Sequence, residues 1–396
     1  MNAPALIRDE SVARMVLPLA AVFVVSLGYG VVLPVLPFVL ARARVAVAWH
    51  TGLLTGAYML ALFLFAPLWG HVSDRIGRRT VILFGIAGFS AAMLWFAQAR
   101  DLAFVYGARA SAGVFAAAVL PVVSAWVSDA GTSHTRARAF AWLSATSAFG
   151  FLFGPALSGW LASVAIVASD DALALPFYAA AALAAVVWLA AYWLLPESAL
   201  ARTRGSESER SASSLLWLLS LSLLVMLGLG SFEVSLALQG QQVLNLQPRE
   251  IGWMFAECSL VMILVQIFAL PPLTRRVGSG LLAPAFLAMA AGVAMQPYAT
   301  SYPVMLLGVG LVAAASGLLI PALAYRVSLA AGAAQGAALG QQTAAASLGQ
   351  AVGSAAAGWL FAMLTAAPFW ATAGLLGLGA VVAHHVSNTL KEVTHE

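Results

Sequence analysis

Charge is the scarcest feature of this 396-residue chain. Only 9% of it is Asp, Glu, Lys or Arg, against roughly 25% in soluble domains. Lysine is nearly missing: Lys391 is the single example, so the positive charge is almost all arginine. Cys258 is the one cysteine, which excludes an intrachain disulfide. No Cys/His cluster has metal-ligand spacing. The chain lacks H-E-x-x-H and lacks G-x-x-x-x-G-K-[ST], so neither zinc hydrolysis nor phosphate-loop ATP hydrolysis is supported. No enzyme activity, catalytic residue, metal or cofactor is expected. The net charge of +4 does not point to nucleic acid, because the arginines lie in short scattered loops with no basic stripe and no basic–aromatic interleaving.

What fills the chain instead is apolar sequence, 62% of the residues, with a mean hydropathy of +0.94. A water-soluble fold could not hide that much apolar surface. The chain reads as a multi-pass membrane protein whose partner is the lipid bilayer. The first apolar run, 12–41, is too long for a signal-peptide core of about 7–15 residues, and no lipidation motif is apparent. Cutting at charged or Pro/Gly-rich breaks, and asking for about 20 apolar residues per crossing, gives twelve spans. They cover 14–41, 50–72, 79–98, 103–128, 138–166, 173–195, 214–239, 249–270, 280–298, 302–325, 335–364 and 368–387. With both termini in the cytoplasm, fourteen Lys and Arg fall on the cytoplasmic side and four outside, leaving Arg109 within a span. That asymmetry is the positive-inside pattern.

The longest polar stretch, 197–213, is charged, Ser-rich and central. It reads as a flexible cytoplasmic linker between an N-terminal bundle of six helices, 1–196, and a C-terminal bundle of six, 214–396. The halves echo each other at an offset near 200. Gly28 and Gly30 match Gly228 and Gly230, "RIGRR" at 75–79 is echoed by "RRVG" at 275–278, and Gly150, Gly154 and Gly159 match Gly349, Gly353 and Gly358. Two repeats around a midplane site is the architecture of many secondary transporters; small residues at helical spacing also serve plain helix packing.

Between the second and third spans stands "GHVSDRIGRR", 70–79. Its Gly70, Asp74, Arg75, Gly77, Arg78 and Arg79 resemble the loop signature G-x-x-x-D-R-x-G-R-R/K of the major facilitator superfamily. "RASAG", Arg109 to Gly113, resembles the fourth-helix R-x-x-x-G of that family's proton-coupled drug exporters. "GFLFGPALSG", with Gly150, Gly154, Pro155 and Gly159, resembles their fifth-helix antiporter signature, with Ser158 at one glycine position. "GYGVVLPVLP" at 28–37, "SDAGTSHTRARAF" at 128–140 and "LPES" at 195–198 are similar to segments of tetracycline and multidrug exporters.

The resemblance implies an all-α fold of twelve transmembrane helices in two pseudo-symmetric bundles. It also implies alternating-access exchange of protons for a lipophilic small molecule, a drug or antibiotic such as a tetracycline, across a bacterial-type inner membrane. The chain is expected to act as a monomer. The loop motif, with Asp129 as a plausible partner of Arg75 or Arg78, is implied to latch the two halves, and Arg109 is implied to serve proton coupling. One departure matters: many relatives carry an Asp in the first helix, nine residues before the first proline of the "GYGVVLPVLP" run, where this chain has Val25.

A coupling acid must then lie elsewhere. Only Glu233 and Glu257 fall well inside spans, and an ionisable group there is costly, so each is a functional candidate by default. The "FE" at Phe232–Glu233, similar to that helix in many drug exporters, favours Glu233. Tyr29, Tyr58, Phe232, Gln239 and Gln266 are candidates to line a substrate cavity. The alternative reading is an exporter of a polar native metabolite: a sugar, amino acid, opine or metallophore. A non-transporting receptor or scaffold would leave the intramembrane charges unexplained.

Overall fold

The computed structural model describes residues 6–129, 133–166, 173–195, 212–269, 278–331 and 335–392. Most of the expected linker and the "RRVG" echo lie outside the described residues. The described chain is helical, with no strand. Hydrocarbon offers no partner to a backbone N–H or C=O, so apolar runs of this length satisfy their backbone internally as helices.

Twelve long helices follow the twelve apolar runs: α1 Leu6–Arg42, α2 Val47–Ile76, α3 Arg78–Ala97, α4 Leu102–Asp129, α5 Ser133–Ile166 and α6 Leu175–Leu194, then α7 Ala212–Gln242, α8 Pro248–Leu264, α9 Leu282–Met295, α10 Tyr302–Ala331, α11 Gln335–Met363 and α12 Ala367–Glu392. Among the described residues, nine helices are long and apolar enough to cross a membrane. α9, even with its 3-10 extension to Tyr298, is shorter. α5 and α11 are not among the nine, and both are rich in Gly, Ala and Ser. Those small residues lower hydropathy and allow close helix approach.

Helix starts are locally encoded. Asp101 accepts the Phe104 N–H at 2.9 Å and caps α4. Gln247 and Glu250 form a reciprocal capping box on α8, with Pro248 at its first position. Gly77 holds φ at +94° between α2 and α3, a backbone region that glycine enters at least cost.

Contacts divide the chain into two compact units. One comprises residues 1–35 and 61–203, the other residues 36–60 and 204–396. In the first, Gly150 and Gly154 of α5 meet α1: an added Cβ would come within 2.8 Å of the Phe23 carbonyl and 2.5 Å of the Leu27 carbonyl. Ser158 donates to Val31 O at 2.6 Å, and Ser26 and Ser147 hydroxyls pair at 2.8 Å. α3 is bound to α6 by Ser90 donating to Ala181 O at 2.9 Å and by the Phe96–Phe177 ring pair.

The second unit repeats the scheme. A Cβ on Gly349 or Gly353 of α11 would collide with the Leu223 or Leu227 carbonyl of α7. Ser354 donates to Gly230 O at 3.3 Å, and Ser231 and Thr372 tie α7 to α12 at 2.6 Å. Thus the carbonyls of Leu27 and Leu227 receive Gly154 and Gly353 in turn, and the echo at an offset near 200 is a shared packing device. α1 and α7 are also each followed by a left-handed residue, Arg44 and Asn245. Gly52 and Gly56 of α2 complete the second unit's seam, lying against the Ser354 and Ala351 carbonyls of α11.

Candidate functional site

In the first unit, Arg109 is fully buried on α4. Its guanidinium carbon lies 5.2 Å from the centre of the Tyr29 ring on α1. Tyr29 in turn meets Phe151 of α5 edge-to-face at 5.7 Å. A buried cation over an aromatic face gains about 0.5–2 kcal/mol, the upper end when desolvated. The sequence singled out Arg109 and Tyr29 separately; the fold stacks them. Tyr29→Leu is expected to lower unfolding stability by about 1–2 kcal/mol, because Arg109 stays buried and charged without its ring. Thermal unfolding of the purified protein checks this, and an unchanged midpoint would deny the ring that role. Val25, which stands where the resemblance implies an acid, is fully buried.

The loop motif splits into two parts. Asp74 pairs with Arg78 at 3.1 Å, one turn along. Arg78 is buried and also donates to Ser73 Oγ at 3.0 Å, while Ser73 Oγ donates to Gly70 O. These residues staple the end of α2 to the start of α3. Arg75 and Arg79 stand elsewhere, with Arg79 Nη2 donating to Tyr192 O of α6 at 2.6 Å. Asp129 ends α4, and its side chain lies outside the described residues.

In the second unit, Glu233 is half-buried on α7 and accepts a 3.0 Å hydrogen bond from Gln350 Nε2 of α11. Gly230, one turn before Glu233, makes room: a Cβ there would stand 2.6 Å from the Gln350 carbonyl and 2.8 Å from its Cγ. Glu257 is half-buried on α8, and its Oε2 finds no hydrogen-bond partner among the described residues. It faces Gly310 of α10, where an added Cβ would lie 3.5 Å from Glu257 Oε1. Cys258, next to it in sequence, is buried.

Gln350 was not singled out from sequence. The internal repeat held the signal: Gly349 and Gly353 match Gly150 and Gly154, which places Gln350 in the register of Phe151 beside Tyr29. Of the remaining cavity candidates, Tyr58, Phe232 and Gln239 are buried, and Gln266 is half-buried in a π-helical turn, Val265–Ala269, that extends α8. Gln239 Nε2 donates to Gln296 O at 2.6 Å, which ties α7 to the end of α9. Among the described residues no group of three or more His, Cys, Asp or Glu is placed to hold a metal ion.

Comparison with known proteins shows the family. Residues 19–280 match the Major Facilitator Superfamily. The chain is 27% identical over 375 residues to Multidrug resistance protein 2 of Bacillus subtilis, covering 91% of this chain and 92% of the relative. It is 26% identical over 369 residues to Quinolone resistance protein NorA of Staphylococcus aureus, covering 91% and 93%. The fold is similar to a bacterial homolog of the human lysosomal transporter Spinster in an inward-facing, unoccupied conformation. That match has a TM-score of 0.76 and 13% identity, covering 99% of each chain. The human organic anion transporter MFSD10 matches with a TM-score of 0.70 and 21% identity, covering 94% of this chain and 99% of that one. Twelve helices in this packing, with the loop signature in place and a family match over well more than half of the sequence, make the chain a multi-pass membrane transporter that belongs to the major facilitator superfamily.

Proposed function

We propose that the chain is a proton-coupled exporter of lipophilic small molecules of the drug and antibiotic class. It works as a monomer in a bacterial inner membrane, with both termini cytoplasmic. The observation that carries the reading is the pair of membrane-embedded carboxylates. Glu233 is held by a neutral amide donor from α11, and Glu257 keeps an oxygen without a hydrogen-bond partner among the described residues. A carboxylate in a span is expensive and persists where it binds or carries charge. Full-length similarity to relatives named for multidrug and quinolone resistance supports the cargo class.

In this reading Glu233 takes up and releases the coupling proton, Glu257 on α8 assists, and Arg109 on its aromatic seat fixes the field in the first unit. One proton entering down about 150 mV releases ~3.5 kcal/mol. That sustains a gradient of several-hundredfold for a neutral cargo.

The test is accumulation of a fluorescent lipophilic dye, and of a quinolone, in cells stripped of their own exporters. Expression is expected to lower accumulation, a protonophore to restore it, and Glu233→Gln to abolish export while the protein remains in the membrane. Glu257→Gln is expected to have the smaller effect. Export that survives the protonophore, or survives Glu233→Gln, would overturn the reading.

A further inference from the structure

A cavity of about 600 Å³ opens in the first unit where α2 ends, between the start of α3 and the end of α6. Its chemistry changes along its length. At one end stand Arg75, exposed, and Arg79, whose guanidinium is fixed to the wall by its bond to Tyr192 O. Gly77 and Thr80 belong to the same end. The first helical bond of α3 runs from Val81 N–H to Gly77 O, and no side chain caps this helix. The N–H groups of 78, 79 and 80 therefore lack an intrahelical acceptor, as in any first turn, and carry the positive end of a 20-residue helix. Away from the charged end the wall is apolar. Thr80, Leu83, Phe84 and Ala87 follow one another at helical spacing along α3. Across from them Trp188 and Tyr192 of α6 stack with ring centres 5.7 Å apart. Phe84 and Tyr192 are themselves exposed.

The geometry points to a binding site for an anionic phospholipid. Its phosphate sits between Arg75, Arg79 and the first turn of α3, and one acyl chain lies along Leu83, Phe84 and Ala87. Charge complementarity selects an anion, and basic pockets between membrane helices are suited to anionic headgroups. The apolar strip beyond the charges selects a lipid over a free phosphate. The aromatic pair, with exposed Trp193 next to it, marks the headgroup level, where tryptophan and tyrosine gather. Asp74 does not oppose the anion, because it is paired with Arg78. The site divides the loop motif's labour: Asp74 and Arg78 close the turn, and Arg75 and Arg79 hold a lipid. It does not depend on the cargo or on proton coupling.

The experiment uses the full-length protein in a neutral detergent, with bound lipid counted by native mass spectrometry. Dioleoyl phosphatidylglycerol, dioleoyl phosphatidylcholine and inorganic phosphate are the three probes. A surface cation is worth about fivefold in anionic-lipid binding. Arg75→Gln is therefore expected to weaken phosphatidylglycerol retention about fivefold, and the double variant Arg75→Gln/Arg79→Gln about thirtyfold. Phosphatidylcholine retention should not change. Arg75 is exposed, so its single variant decides the matter if the double variant fails to fold. Equal retention of the two lipids by the unaltered protein would overturn the site, as would unchanged phosphatidylglycerol retention in Arg75→Gln. Binding of inorganic phosphate as tight as that of the lipid would show a plain anion site instead.

Discussion

Gly353→Ala is expected to unfold the second unit far below the temperature at which the unaltered protein unfolds. The added methyl would stand inside the Leu227 carbonyl oxygen of α7. A backbone carbonyl in mid-helix cannot rotate away without giving up its own helical bond, so α7 and α11 must move apart. Two ties across the same seam then stretch: Ser354 to Gly230 O at 3.3 Å, and Gln350 to Glu233 at 3.0 Å. Overpacking costs about 1–3 kcal/mol, and each interhelical hydrogen bond in a membrane protein adds about 0.6–1.7 kcal/mol. The sum is a large part of the stability of an ordinary domain. Lipid gives no hydrophobic incentive to keep helices together, so close packing has to do it. Gly377 of α12 is the control. An added Cβ there meets nothing within 4 Å, and alanine is the better helix former by about 1 kcal/mol. Gly377→Ala is expected to match or exceed the unaltered protein in thermal unfolding. Equal midpoints for the two alanine variants would refute the seam.

Gln350→Met is expected to reduce coupled transport by about fivefold or more while leaving the protein in the membrane. Methionine keeps the length and volume of the side chain but offers Glu233 no N–H. A buried or half-buried carboxylate that loses a hydrogen-bond donor forfeits about 1–3 kcal/mol, which corresponds to roughly 5- to 150-fold. Because α11 carries Gln350 and α7 carries Glu233, the bond also reports the register of the two helices. A change at Glu233 is thereby felt at the packing seam. Initial rates of cargo efflux, normalised to protein in the membrane, check this. Unchanged rates in Gln350→Met would mean that the amide has no part in coupling.

Much of the fold was legible because the bilayer permits few solutions. Apolar runs must become helices, so each of the twelve runs returned as a helix with ends shifted by up to eight residues. α1, for example, begins at Leu6 against an expected span from 14. The glycine echo also carried through, since Gly154 and Gly353 meet equivalent carbonyls. What periodicity could not convey was which side chains meet across helices. Arg109 and Tyr29 lie 80 residues apart and meet only when α1 and α4 pack. Gln350 was hidden in a stretch of Ala, Gly and Ser because a lone glutamine in such a run signals nothing until its neighbour is known. The loop motif was read as a single charged cluster. Its division into an Asp74–Arg78 staple, with Arg75 exposed and Arg79 bonded to α6, depends on the Gly77 turn and on α6 lying alongside.

The most direct test of the central claim is proton movement linked to cargo. Inside-out membrane vesicles containing the protein are acidified in the lumen and followed with a pH-sensitive dye, and lipophilic drugs and polar metabolites are added one at a time. The account predicts luminal alkalinisation on adding a lipophilic compound, absent in vesicles carrying Glu233→Gln. A lumen that stays acid across the whole panel, with folded protein present, would contradict it.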